Sequence, residues 1–261
     1  MELKRILKYL NYRLTAYSEH DLHSPFLYNF YMELIKNEFP FGDFEELNTI
    51  RKKIIKDSTV INYKDLGAGS KKLSSDKRLV KQITMHGIAQ KKQAEFLYRL
   101  LNKFMPATVV ELGTSIGLST LYFSKASPRS DIYTIEGCLD LVEFSKKLFI
   151  EQQARNIQNI SGHFDTAFPK LLQSLNHLDF LYIDGNHAYE PTMRYFTLAL
   201  EKKNTNSIFV FDDIYWSAGM QQAWKEISAH PDVMLSLDLF YFGIVFFRTE
   251  QKNKEHFVLK F

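Results

Sequence analysis

The sequence predicts an α/β fold: a parallel sheet covered by helices and ending in an antiparallel hairpin, preceded by a mainly helical region. Two features carry the prediction. Beyond Pro106, short apolar runs alternate with helical patterns, at ATVVEL (107–112), DIYTIE (131–136), NIQNIS (156–161), LDFLYID (178–184) and SIFVFD (207–212). That alternation marks parallel strands joined by helical crossovers. Two further strand-like runs, inside VMLSLDLFYFGIVFFR (233–248), are parted only by Tyr241, Phe242 and Gly243. A parallel connection needs about a dozen residues, so this pair is a hairpin.

Ahead of Pro106 the apolar residues recur mostly at helical spacing: Leu3, Ile6, Leu7 and Leu10, then Leu27, Phe30, Tyr31 and Leu34, then Phe96, Leu97, Leu100 and Leu101. A less regular stretch, 39–75, is rich in Lys, Asp, Ser and Gly. Residues 1–104 are therefore expected to form a helical cap or substrate region, and 105–261 the sheet domain. A chain of 261 residues has room for both. The single cysteine, Cys138, excludes an internal disulfide and fits a reducing compartment. MELKRILKYLNYRLTAY mixes charges into its apolar residues and reads as a helix rather than a secretory leader. No run approaches the roughly 20 apolar residues that span a bilayer, so a cytoplasmic protein is expected.

A net charge of +3 hides an asymmetry: 51–103 carries fourteen Lys and Arg against four acids. The plain reading is a solvated helical face; the sharper one is a positive rim for an anionic small molecule or an RNA. The stretch lacks interleaved surface aromatics of the kind that stack bases, which counts against RNA.

Two glycine loops compete for a cofactor: DLGAGS (65–70) and ELGTSIG (111–117). Such a loop needs a buried strand before it and a helix after it, so that free helix N–H groups face the ligand. ELGTSIG has TVVEL before it and LSTLYFSKA after it. DLGAGS is followed by KKLSSDKR, which has no apolar stripe, and is expected to be a structural turn or a loop near the substrate. An acid at the end of the next strand takes ribose hydroxyls, and Glu136 ends DIYTIE at about the expected distance. A dinucleotide loop would carry a third glycine. Glu111, just ahead of Gly113, would repel a pyrophosphate and suits a ligand bearing an ammonium or sulfonium group, as S-adenosylmethionine does.

With these residues in place, 106–248 resembles a class I S-adenosylmethionine-dependent methyltransferase, whose Rossmann-like sheet ends in an antiparallel hairpin. It is most similar to the metal-dependent small-molecule O-methyltransferases, the catechol type and a bacterial sugar and natural-product group. The resemblance implies methionine contacts from Glu111, Gly113, Ser115, Gly117 and Ser119 and ribose contacts from Glu136. GHFDTAFPKL (162–171) resembles the adenine segment, which implies Asp165 near the adenine amino group.

Two more runs end in acids: FLYIDGNHAYE (180–190) and FVFDDIYW (209–216). A buried carboxylate is costly without a partner. Asp184, Asp212 and Asp213 are the oxygen donors that Mg²⁺ or another divalent cation takes, and all three match the metal positions of the resembling family; Asp184 also falls among its cofactor contacts. The family's catechol type has a basic lysine three positions after the first metal-binding Asp, where this chain has His187. The natural-product group has an Asp two positions on, where this chain has Asn186, which cannot take a proton at neutral pH. His187 is thus the candidate base beside Asp184. Ser217 is the better candidate to cap the helix at AGMQQAWKEI. His20 and His23 are read first as turn or core residues, Tyr215 and Trp216 as either a pocket wall or packing for the hairpin, and Cys138 as unreactive.

The reading is methyl transfer to a hydroxyl of a small-molecule acceptor, an anionic one being compatible with the basic stretch. Neither nucleic acid nor membrane is the expected partner, and a homodimer is open. The rivals are an RNA or protein methyltransferase using the 51–103 surface, a non-catalytic cofactor-binding protein, and a nicotinamide reductase, the last disfavoured by the two-glycine loop.

Overall fold

The computed structural model describes residues 2–37, 39, 41–63, 77–87, 90–250 and 253–261. DLGAGS lies outside the described residues. The chain begins with α1 (Glu2–Thr15), α2 (Pro25–Phe30) and a π-helical turn, Tyr31–Ile35. Next come α3 (Asp43–Ile54), the short β1 (Val60–Asn62) and β2 (Lys77–Leu79), α4 (Val80–Gly87) and α5 (Lys91–Phe104). Strands and helices then alternate: β3 (Thr108–Leu112), α6 (Leu118–Ala126), β4 (Asp131–Glu136), α7 (Leu139–Glu151), β5 (Ile157–Ser161) and α8 (Phe164–Ser174). They continue through β6 (Phe180–Ile183), α9 (Tyr189–Leu200), β7 (Ile208–Asp212) and α10 (Ala218–Ala229) to β8 (Leu235–Asp238), β9 (Phe242–Phe246) and β10 (Glu255–Val258).

Packing groups these elements into two compact units, residues 38–174 and residues 1–37 with 175–261. This is not the division at 104/105, which is a division by role. In the 38–174 unit, β3, β4 and β5 run parallel in that order, with Glu111 paired to Thr134. Val109, Val110 and Leu112 are buried, as a strand covered on both faces requires. α5 buries Phe96, Leu97, Leu100 and Leu101, the expected stripe, and stops where Met105 turns left-handed (φ 44°) ahead of Pro106.

In the other unit the strand order is β10–β8–β9–β7–β6. β6 and β7 are parallel, the expected hairpin β8–β9 is antiparallel, and β10 joins β8 in parallel. β10 has no counterpart in the sequence reading, because EHFV is a half-exposed edge strand without an apolar run. Gly243 lets α10 press against β9: a Cβ there would sit 2.5 Å from the Trp224 ring. Residues 1–37 belong here because α1 is tied to the chain's last residues. The buried Tyr12 hydroxyl donates to the Leu259 carbonyl (2.5 Å) and accepts from the Phe261 amide (2.8 Å). Tyr17 bridges to Leu259. Among the described residues no helix is long and apolar enough to cross a membrane.

Candidate active site

The 38–174 unit carries the glycine loop. Between β3 and α6 the chain takes left-handed conformations at Gly113 (φ 112°), Ser115 (φ 51°) and Gly117 (φ 85°). Those turns aim the first N–H groups of α6 out of the end of β3. Gly117 has a second reason to lack a side chain, since a Cβ would meet Phe149 at 2.6 Å. Glu136, at the end of β4, holds the loop: Oε2 accepts from the Ser115 amide (2.9 Å) and Oε1 from the Cys138 amide (2.8 Å).

Glu111 is placed differently from a ligand-facing acid. Its side chain is 0% exposed. Oε1 accepts from the Ser119 hydroxyl (2.6 Å), and Oε2 from Thr120 (2.5 Å) and Thr134 (2.6 Å). Three neutral donors satisfy a buried carboxylate and tie β3 to α6 and β4. Ser119 is thus Glu111's partner in this structure. Asp165 lies in the first turn of α8, where an acid suits the helix dipole, 3.5 Å from His163 Nδ1.

The unit of 1–37 with 175–261 carries the acids. β6 is buried throughout and delivers Asp184 at its end; Asn186 is left-handed (φ 53°), as Asn tolerates, and folds the loop back. His187 Nε2 comes to 3.6 Å from Asp184 Oδ1. Asp184, His187 and Asp212 each offer a ligand atom, and these atoms lie within 4.8 Å of one another. Burial, then the charges of Asp184 and Asp213, pushes the Asp212 carboxyl well up; burial also raises Asp184, against the opposing pull of His187.

Asp213 stands outside this group and so departs from the expected ligand set of Asp184, Asp212 and Asp213. Its backbone turns left-handed (φ 51°), and its carboxylate pairs with Arg5 of α1 at 2.9 Å. Arg5 also lies over the Trp216 ring, 5.3 Å from its centroid. A strand's successive side chains diverge, and the turn after Asp212 leaves the second acid facing α1. α1 thus covers the loop after β7. Phe26 and Phe30 pack on Phe246, which pairs with Ile208 at the opposite end of β7, and Tyr28 is exposed.

Tyr215 packs against the hairpin, stacked on Phe240 (4.8 Å), with its hydroxyl donating to Asp238 (2.8 Å). Ser217 caps α10 through the Met220 amide (3.1 Å). His20 and His23 are exposed, and Cys138 is buried. Arg5 and Asp238 escaped the sequence reading. Asp238 had a signal, an acid at the end of the apolar LSLD; Arg5 had none, because its partner lies 208 residues away.

Residues 110–214, 105 of 261, match the model of a family described as a methyltransferase domain. An uncharacterized protein of Acanthamoeba polyphaga mimivirus is 35% identical over 79 residues, 28% of this chain and 36% of that protein. The match thus spans about a third of that relative. The O-methyltransferase TomG of Streptomyces achromogenes, solved with S-adenosylmethionine, superposes with a TM-score of 0.53 at 19% identity, over 62% of this chain and 82% of its own. An O-methyltransferase from Bacillus cereus, solved with S-adenosylhomocysteine, gives 0.55 at 14% identity over 84% and 96%. A methyltransferase from Geobacter sulfurreducens gives 0.58 at 12% over 82% and 93%. At these identities the likeness is one of fold. Family model and fold agree: residues 110–214 match a methyltransferase domain, and the solved structures that share the fold are methyltransferases.

Proposed function

We propose that this methyltransferase domain moves a methyl group from S-adenosylmethionine to a hydroxyl of a small-molecule acceptor, with a divalent cation held by Asp184 and Asp212. One observation carries the proposal: two carboxylates and an imidazole converge at the ends of β6 and β7, with their ligand atoms within 4.8 Å. That donor set fits a hard cation, which takes one or two carboxylates and completes its shell with water and acceptor oxygens. When bound, such an ion lowers the pKa of a coordinated hydroxyl.

The residues divide the remaining work. Gly113, Ser115 and Gly117 shape the loop for the methionine part, and Glu136 takes the ribose hydroxyls. Asp165 is assigned to the adenine. Glu111 holds Ser119 and the start of α6 in place and acts on the cofactor through them. His187, beside Asp184, takes the acceptor's proton, and a sulfonium-activated methyl needs little more than alignment and that deprotonation. Residues 1–104 are assigned the shaping of the acceptor pocket, and the position of α1 over Asp213 and Trp216 supports this. An RNA substrate draws less support, because Arg78 and Arg99 of the basic stretch are buried.

The test is calorimetry of the full chain with S-adenosylhomocysteine, followed by turnover on a panel of small hydroxylated acceptors with and without Mg²⁺. Cofactor binding, and turnover that a chelator removes, are expected. His187→Ala should cut turnover by about 10²-fold with cation affinity unchanged. If cation affinity falls instead, His187 is a ligand and the base lies elsewhere. No cofactor binding at all would end the reading.

A further inference from the structure

Arg5, Lys8, Tyr9 and Tyr12 recur at helical spacing, and in α1 they share the side that meets the rest of its unit. Arg5 pairs with Asp213 (2.9 Å) and lies over the Trp216 ring. Lys8 donates to Gln221 in the first turn of α10, and Tyr9 meets Phe240 edge-on (4.9 Å). Tyr12 ties the helix to Leu259 and Phe261. The turn after β7 is closed by the Trp216 amide, which donates to the Asp213 carbonyl (2.8 Å). That turn brings a carboxylate and an indole face to one guanidinium, which is thereby fixed.

We propose that Arg5 withholds Asp213 from the cation, so that α1 sets how tightly the cation binds and how much of its shell stays open to the acceptor. The inference rests on the cation proposed at Asp184 and Asp212. Reach is the first argument. Asp213 directly follows Asp212, and its charge raises the carboxyls of both Asp184 and Asp212. It stands close enough to act on the same centre, and the contact that turns it aside is Arg5.

The second argument is what the pair is for. Its side chains are 37% and 25% exposed, and a pair so open to water does little to hold a helix in place. Tyr9 and Tyr12 already anchor α1 without it. The pair does change the ligand charge offered to a hard cation, and that charge sets affinity. Two carboxylates leave several positions for water and acceptor oxygens; a third carboxylate would bind the ion more tightly and close one of those positions.

Calorimetric titration of the full chain with Mn²⁺, in the absence of S-adenosylmethionine, tests this. Arg5→Met keeps an apolar stem over Trp216 and loses the charge and the donors. It should bind Mn²⁺ about 10-fold more tightly than wild type, with an unchanged circular dichroism spectrum. The bound ion should carry about one fewer water, counted by pulsed electron spin resonance in isotope-labelled water. Arg5→Lys, which keeps a charge for Asp213, should return most of the wild-type affinity. Adding Arg5→Met to Asp213→Ala should change affinity by no more than about twofold, because the residue that Arg5 restrains is then gone. Wild type that binds Mn²⁺ with Arg5→Met no tighter overturns the inference and leaves the proposed function standing. A full gain that persists in the Asp213→Ala background also overturns it, since the lost positive charge would then act by itself. Wild type that takes no Mn²⁺ ends the inference together with the proposed cation.

Discussion

Acids end strands in both packing units, and they are stabilised in opposite ways. At β3 and β4, Glu111 and Glu136 are met by neutral donors, three hydroxyls and two backbone amides. These five donors all belong to the 38–174 unit. At β6 and β7, Asp184 and Asp212 come together with His187, and burial pushes both carboxyls up. The first pair of acids holds structure together. The second brings two carboxyls together where burial disfavours their charged form, an arrangement that the proposed cation would suit. Asp213 is a third case, an acid of the second set already neutralised by Arg5.

The sharpest way to break this comparison is Asp212→Ala. Removal of the carboxylate proposed to hold the cation should lower turnover by about 10³-fold, the several kcal/mol that such an ion supplies. Thermal unfolding should show no loss of stability, because a buried carboxyl with a raised pKa opposes folding when charged. A variant that both dies and unfolds would erase the distinction. Glu111→Ala should do the reverse. It strips the acceptor from three hydroxyls, two of them buried, and should cost about 3 kcal/mol in urea unfolding. A cost under about 1 kcal/mol would mean that the hydroxyls find other partners.

Glu136→Ala should be next in size. It removes the proposed ribose contact and should weaken S-adenosylhomocysteine binding by about 10- to 100-fold by calorimetry. Unchanged affinity would take Glu136 out of the cofactor site. Asp213→Ala should be the mildest. The pair it breaks is partly exposed, so the stability change should stay under about 1 kcal/mol. Cation affinity should change little; a loss as large as that of Asp212→Ala would restore Asp213 to the ligand set.

Sequence alone determined the strands and the loop. β3 to β7 appear within a residue or two of the apolar runs, the hairpin falls where the connection was too short for anything else, and ELGTSIG has the strand and helix that mark it. These features are legible because burial writes a period into a single element, and because glycine and a strand-end acid stand at fixed offsets from it. β10 was not legible, since an edge strand buries too little to leave a pattern. Tertiary structure decided what each acid faces. Asp212 and Asp213 are neighbours in sequence, yet one joins Asp184 and His187 while the other meets Arg5, 208 residues away. It also decided that the leucines of α1 look outward: a helical period says that one face is apolar, but which face is covered depends on where Tyr12, Arg5 and the chain's last residues anchor the helix.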